Sequence, residues 1–294
     1  MKSIICFGEV LWDVLPAGRK LGGAPLNVSL RAQSFGNKAA MISSIGKDRI
    51  GEELAEAMKT HGGSLDHIQE TEAYATSEVL VELDEHGSAT YDIKRPCAWD
   101  AIALLERDIQ AVKRSDAFIY GSLVARDITS RETLLALLDH AGYKVFDVNL
   151  RPPHYRPERI ISLMKPADFV KFNDEELYEI CAHLGMHDKA LEACIGFLAE
   201  KTDTGQICVT LGKDGAVLFY NKIFYYNKGF RVKVADTVGA GDSFLASIVS
   251  QLLENRPPQE AIDFACAVGS IVASKNGANP AVSASEIGAI MGTL

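Results

Sequence analysis

Hydrophobic and polar residues alternate in blocks over the first sixty positions of the chain. Residues 3–7 form a continuous apolar run typical of a buried strand, and residues 39–45 form a second one. Between them, residues 25–35 have the amphipathic pattern of a helix, and Asp48 is a good N-cap for another helix through residue 58. This order of strand, helix, strand and helix predicts an α/β fold.

A different pattern follows in the next forty residues. Residues 77–83 and 88–94 have strand character around Asp84-Glu85-His86-Gly87, which predicts a hairpin. Together with the short apolar run at 10–15, this hairpin predicts a small β lid formed from about residues 10–20 and 75–97. The lid would interrupt a chain that is otherwise α/β.

Strands and helices alternate again from residue 116 onward. Such an order implies a mostly parallel sheet covered by helices on both faces, a three-layer α/β/α arrangement. We expect helices to begin near Asp242 and near Pro258 and antiparallel edge strands at 216–226 and 230–234. The predicted parallel strands cover residues 117–120, 143–148, 169–172 and 207–211. No linker or repeat divides the chain, so we predict a single domain over residues 1–294.

Composition narrows the functional class. The chain has 294 residues, is 47% hydrophobic and carries a net charge of -9, so it can build a large core but lacks the basic surface that nucleic acids require. Its first residues have no signal-peptide pattern, and no apolar run is long enough for a membrane span. Six scattered cysteines suggest reduced core residues rather than disulfides. We therefore expect a cytoplasmic enzyme with no membrane or nucleic-acid partner.

The segment Asp236-Thr237-Val238-Gly239-Ala240-Gly241-Asp242 carries the clearest chemistry. Apolar residues recur at helical spacing directly after it, so the two glycines lie in the turn that enters a helix. Bare amides and the positive end of the helix would bind a phosphoryl group, and Asp242 could accept the proton of an attacking hydroxyl. Alternatively, Asp242 is an ordinary N-cap and the glycines only permit a tight turn.

A second segment, Gly22-Gly23-Ala24-Pro25-Leu26-Asn27, also precedes a helix. The glycine pair allows close approach of another molecule, and Asn27 offers the donor and the acceptor that sugar hydroxyls need. A plain loop-to-helix junction would have the same composition. Trp12 and Trp99 could close over a sugar or belong to the core.

Together, the two glycine segments resemble the two signature regions of the ribokinase-like (PfkB-type) carbohydrate kinases, in the same order and over nearly the whole chain. The resemblance implies an ATP-dependent sugar kinase with a β lid, in which Asp242 is the catalytic base. It implies an anion hole at Gly239, Ala240 and Gly241. It also implies Mg²⁺ as a cofactor and a homodimer that pairs through the lid.

Other residues receive roles from the same resemblance. Sugar binding is implied for Asp13, Gly23, Asn27, Arg95 and Arg151. Asn173 and Glu176 match an element that organises magnesium and phosphate, with Glu176 acting through water. Nucleotide binding is implied for Thr210, Gly212 and Gly215, and a potassium site for the main chain of Asp236, Val238 and Gly277.

Ala24 disfavours ribose as the substrate, since ribokinases carry lysine at that position. The glycine segment and Asp147-Val148-Asn149-Leu150-Arg151 resemble fructokinases, so fructose is the first choice. The Asp-x-Asn-x-Arg pattern also occurs in 2-keto-3-deoxygluconate kinases, so that substrate and a nucleoside remain alternatives. A sugar or nucleotide sensor without activity is a further alternative from a different class.

Overall fold

The computed structural model describes residues 1–15, 18–83, 89–188 and 190–292. The central element is a nine-stranded sheet with the order β13-β12-β11-β10-β9-β8-β1-β4-β5. Neighbouring strands are parallel along the run β11-β10-β9-β8-β1-β4-β5, and β12 and β13 add an antiparallel edge beside β11. The strands are β1 Ser3–Phe7, β4 Lys38–Gly46, β5 Ile68–Thr71, β8 Ala117–Gly121, β9 Lys144–Asp147, β10 Phe169–Asn173, β11 Gln206–Thr210, β12 Ala216–Tyr220 and β13 Ile223–Asn227.

A second sheet of four strands, with the order β3-β2-β6-β7, forms the lid. It consists of β2 Leu11–Leu15, β3 Gly18–Gly22, β6 Glu78–Leu83 and β7 Ala89–Ile93. The predicted hairpin pairs as expected, and its first strand adds to β2 in parallel. The predicted turn at Asp84 to Gly87 lies outside the described residues.

Helices cover both faces of the central sheet, as the sequence predicts. Ile5 and Phe7 of β1 pack toward α3 to α7, whereas Ile4 and Cys6 pack toward α1, α2, α8 and α9, because successive residues of a strand face opposite sides. α10 packs on α9. The helices are α1 Ala24–Ser34, α2 Arg49–Thr60, α3 Glu106–Arg114, α4 Ile128–Leu138, α5 Pro157–Met164, α6 Asp174–His183, α7 Leu191–Thr202, α8 Ala240–Leu253, α9 Pro258–Ala273 and α10 Ala284–Met291.

Local signals explain where several of these elements begin and end. Asp48 caps α2 by accepting a hydrogen bond from the Gly51 amide at 2.7 Å, as predicted. Pro25 occupies the first turn of α1, where its missing amide costs nothing. All six cysteines are free and buried, which confirms the prediction of reduced core residues.

Two predictions at the antiparallel edge are wrong. Residues 216–226 form two strands rather than one, because Asn221 and Lys222 both adopt left-handed backbone angles and close a two-residue hairpin turn. Residues 230–234 form no strand. Phe230 instead packs against two apolar clusters, one containing residues of α8 and α9 and the other residues of α9 and α10, so the chain leaves the sheet after β13.

Candidate active site

A cavity of about 340 Å³ lies between the lid and the carboxyl ends of the central strands. This is where open parallel sheets bind ligands, because the strand-to-helix loops converge there. The lid side of the cavity is lined by Leu11, Asp13, Val79 and Ile93, and the sheet side by Glu9, Asn149, Arg151, Lys171, Asn173, Glu176 and Thr210. The first turn of α8 closes a third side.

α8 begins at Ala240, and its N-cap is Gly239, whose φ of 75° lies in the left-handed region. A Cβ on Gly239 would overlap the Ala278 carbonyl, so only glycine fits here. Gly239 and Gly241 line the cavity, and the first amides of a helix have no intrahelical acceptor. The Ala240 amide differs, because it donates to the Thr237 carbonyl at 3.2 Å. This helix entrance can bind an anion through the remaining amides and the helix dipole.

Asp242 lies in this first turn but is not the N-cap. Its Oδ2 accepts a hydrogen bond from Asn27 Nδ2 at 2.8 Å, and Asn27 Oδ1 accepts one from Asn279 Nδ2 at 2.7 Å. The chain of amides fixes the Asp242 carboxylate at the cavity wall. Asn27 therefore orients Asp242, a role that the sequence did not indicate. Asn279 was missed altogether, because a lone asparagine in a loop gives no signal.

Four carboxyl groups of the cavity, those of Asp242, Asp13, Glu9 and Glu176, have raised pKa values. Burial, reinforced by Asp147, raises the pKa of Asp242 to about 6 against the opposing effects of Asn27 and Lys171. Burial also raises the pKa of Asp13 to about 6 and that of Glu9 to about 7. At pH 7 Asp242 is thus mostly ionised, yet basic enough to accept a proton.

Glu9 is a second residue to which the sequence assigned no role. Its side chain is buried at the cavity wall, two residues after the end of β1, and its Oε2 has no hydrogen-bond partner among the described residues. A buried carboxylate oxygen without a donor is costly. A ligand hydroxyl in the cavity could supply that donor.

The glycine pair at 22–23 serves the packing of this wall. A Cβ on Gly22 would collide with the carboxylate of Asp13, which lies on the neighbouring strand β2. A Cβ on Gly23 would collide with the Glu9 carbonyl, and its φ of 109° also favours glycine. Asp13 and Gly23 both line the cavity, as the sugar-binding prediction requires.

Asn173 and Glu176 form a capping box at the start of α6. Asn173 Oδ1 accepts from the Glu176 amide, and Glu176 Oε2 accepts from the Asn173 amide, both at 2.8 Å. Glu176 Oε1 accepts from the Leu150 amide at 2.8 Å, which holds the loop before Arg151. Burial raises the pKa of Glu176, although Lys171 opposes this. Both residues line the cavity and keep free lone pairs for a ligand.

Lys171 and Asp147 form a buried ion pair beside this box, with Nζ 2.8 Å from Oδ1. Lys171 was not predicted to belong to the site, although a lysine inside the apolar strand Phe169–Asn173 is a detectable signal. Arg151, predicted to bind substrate, also lines the cavity. It follows Asn149, which adopts a left-handed φ of 37°.

Some predicted residues lie outside the cavity. Thr210 lines it, but Gly212 and Gly215 belong to the turn after β11 and do not. Gly215 is required by the close approach of residues 227–229 to its Cα. Arg95 pairs with Asp127 at 2.9 Å and is half exposed.

The loop before α8 is tied to the loop after α9. Asp236 accepts hydrogen bonds from the amides of Val238 and Gly277, both at 3.0 Å, so the three residues of the predicted potassium site adjoin. Neither tryptophan lines the cavity. Trp99 is fully buried under the Arg126 guanidinium, and Trp12 donates to the Ile50 carbonyl at 3.4 Å. Both belong to the packing rather than to a sugar platform.

Within the described residues, no cluster of three or more histidine, cysteine or acidic side chains could hold a metal ion. Proteins usually bind magnesium through one or two carboxylates, waters and substrate phosphates. Glu176 at the cavity wall offers such a carboxylate.

None of the helices in the described ranges is both long and apolar enough to cross a bilayer.

A three-layer α/β fold with a β lid, and a cavity that joins a carboxylate to a helix entrance, is the architecture of ribokinase-like sugar kinases. The sequence comparison agrees: the model of the pfkB family of carbohydrate kinases matches residues 2–284. The chain belongs to this family and is an ATP-dependent carbohydrate kinase.

Named relatives are fructokinases and a riboside kinase. Fructokinase-2 of Solanum habrochaites is 28% identical, and the alignment covers 95% of this chain and 92% of the relative. A fructokinase double mutant of Vibrio cholerae O395, solved with fructose, ADP and potassium ion, has a TM-score of 0.84 at 23% identity and covers 99% and 98% of the two chains. Aminoimidazole riboside kinase of Salmonella enterica, solved with its riboside and an ATP analogue, has a TM-score of 0.82 at 22% identity and covers 98% and 99%.

Proposed function

We propose that this kinase transfers the γ-phosphate of ATP to a hydroxyl of fructose, with Asp242 as the general base. The observation that carries the proposal is the position of Asp242, held by Asn27 at 2.8 Å beside the bare amides of the α8 entrance. A proton acceptor and an anion site are thereby adjacent in one cavity. These are the two groups that phosphoryl transfer to an alcohol needs.

In the proposed reaction the sugar lies under the lid, against Asp13, Gly23 and Arg151. Its hydroxyl oxygen attacks the γ-phosphorus, the bond from that phosphorus to the bridging oxygen breaks, and the electron pair leaves on ADP. The hydroxyl proton passes to Asp242. The Gly239–Gly241 main chain stabilises the transferring group.

Glu9 and Asn27 complete the sugar side of the site. A sugar hydroxyl donates to Oε2 of Glu9, and the lack of a partner for this buried oxygen among the described residues supports that contact. Arg95 reaches the sugar only after it releases Asp127, so Arg151 is the first choice for the cationic contact.

The nucleotide lies along Thr210 and the turn containing Gly212 and Gly215, with its phosphates directed at α8. Glu176 would hold magnesium through water, and the metal ion would supply positive charge that offsets the charge of the phosphates. Main-chain carbonyls near Asp236, Val238 and Gly277 would hold potassium; the bonds that join these loops and the potassium ion in the Vibrio cholerae structure support this proposal.

A coupled assay of ADP release tests the substrate. Fructose should give the highest kcat/KM in a panel with 2-keto-3-deoxygluconate, ribose and purine and imidazole ribosides. A riboside or the keto acid turned over faster than fructose would assign the chain to an alternative kinase, which the riboside kinase neighbour keeps open. Nucleotide binding without turnover of any sugar would favour the sensor.

The remaining proposals concern organisation. The chain forms one domain, and two copies of it pair through the lid. The protein is cytoplasmic, because six free cysteines suit a reducing compartment. The 39% exposed side chain of Leu80 offers an apolar contact on the lid. Light scattering of the wild type and of Leu80→Glu should show a dimer that becomes a monomer. A wild-type monomer would remove the lid interface.

A further inference from the structure

Lys171 occupies an unusual place for a lysine. It lies in the middle of β10, opposite Asp147 of β9 in the strand register, and only 6% of the residue is exposed. Its Nζ donates to Asp147 at 2.8 Å. Buried ion pairs of this kind contribute little net stability compared with an apolar pair of the same size, so stability alone does not account for it.

The ammonium group also lies next to the anion site of α8. A Cβ added to Gly241 would be 3.6 Å from Nζ, so the ammonium lies beside Gly241 in the first turn of α8. Lys171 itself lines the cavity. An ammonium has three donor positions, and the bond to Asp147 uses one of them.

Several carboxylates surround this ammonium. Burial lowers the pKa of Lys171, but Asp147, Glu176 and Asp242 outweigh burial and raise it above the ordinary value. The surrounding carboxylates therefore favour the charged form of the side chain. Asp147 holds one edge of the ammonium, and the cavity is open to another.

We propose that Lys171 is a catalytic residue whose ammonium contacts an oxygen of the terminal phosphoryl group of ATP during transfer. The inference rests on the proposed function and adds a charged group to the main-chain anion site. In the step, the sugar oxygen bonds to phosphorus, the bond to the bridging oxygen breaks, and Asp242 receives the proton. Lys171 neither gains nor loses a proton. It offsets the negative charge on the transferring oxygens, where a fixed donor has its largest effect.

The contact predicts a difference between nucleotides. Lys171→Met should weaken ATP binding by roughly tenfold, the range for one hydrogen bond to a charged group, and change ADP binding less than about twofold. Calorimetric titration with each nucleotide, without sugar, measures both. A purely structural lysine would affect ATP and ADP equally.

A double variant separates a direct contact of Lys171 with ATP from the structural role of its ion pair with Asp147. Lys171→Met leaves Asp147 buried and unpaired, so it should lower both thermal stability and kcat, the latter by roughly 10²–10³. Lys171→Met/Asp147→Asn should regain stability but not turnover. The control is Lys2→Met, which breaks a lysine–aspartate pair at the amino ends of the strands and should leave kcat unchanged.

Equal losses of ATP and ADP affinity, or turnover that returns with stability in the double variant, would overturn the role of Lys171. The two proposals fail separately. If the wild type phosphorylates no sugar in the panel, the proposed function fails. The ratio of ATP to ADP affinity still decides whether Lys171 contacts the terminal phosphate.

Discussion

Glu9→Gln measures the free-energy cost of burying an ionised carboxyl group at the cavity wall. Burial raises the pKa of Glu9 from its ordinary value of 4.5 to about 7, only partly opposed by Arg151. Because the folded pKa exceeds the unfolded one, ionised Glu9 destabilises the folded state above pH 7. That cost disappears as the pH falls from about 7 toward 4.5, where the folded state holds the proton. The rise corresponds to about 3 kcal/mol of unfolding free energy at roughly 1.36 kcal/mol per pKa unit.

Urea unfolding at about pH 8.5 and about pH 5 measures this cost. The stability of Glu9→Gln relative to the wild type should be about 2.5 kcal/mol more favourable at the higher pH, since glutamine does not ionise and part of the cost is already present at about pH 5. Taking the difference between two pH values removes any constant effect of the new amide. Glu200→Gln, at an exposed site on α7, is the matched control.

The same variant should bind sugar less well. The orphan Oε2 of Glu9 would be replaced or turned away, so the sugar KM should rise roughly tenfold while the ATP KM stays within about twofold. A stability difference that does not change between the two pH values would refute the claim that Glu9 is a strained, buried acid. An unchanged sugar KM would refute its contact with the substrate.

Three further predictions concern the α8 entrance. Gly241→Ala should fold normally but turn over slowly, because its methyl group meets Lys171 only at ordinary contact distance yet covers the anion site. Gly239→Ala should turn over slowly and also melt at a lower temperature, since its Cβ overlaps Ala278. Equal melting temperatures of the two variants would contradict this prediction. Asn279→Ala should lower kcat about tenfold with little change in sugar KM, because Asn27 loses the donor that orients it; an unchanged kcat would leave Asn279 without this role. The kcat/KM profile should fall below about pH 6, where Asp242 is protonated; a flat profile down to about pH 5 would exclude an ionised carboxylate.

Much of the fold was predictable because short-range signals determine it. Asp48 caps α2, and the apolar runs of β1 and β4 form interior strands of the sheet, each between two neighbouring strands. The prediction failed at two places on the antiparallel edge. Asn221 and Lys222 close a hairpin turn without the glycine that usually marks one, and residues 230–234 leave the sheet because Phe230 packs against helices.

The candidate site was predicted only in part. Residues in recognisable segments, such as Asp242, Asp13 and Asn27, do converge on one cavity. The bond from Asn27 to Asp242 joins positions 215 residues apart, so no local pattern could reveal it. Asn279 and Glu9 were missed for the same reason, since their roles depend on what the fold places next to them. Their assignments, like that of Asp242, remain predictions.

Asp242→Asn tests whether Asp242 is the general base, with Asp139→Asn as a control outside the cavity. The amide keeps the size of the side chain but cannot accept the hydroxyl proton. We expect normal folding and ATP binding, with fructose turnover lower by roughly 10²–10⁴. Turnover near that of the wild type would rule out Asp242 as the base.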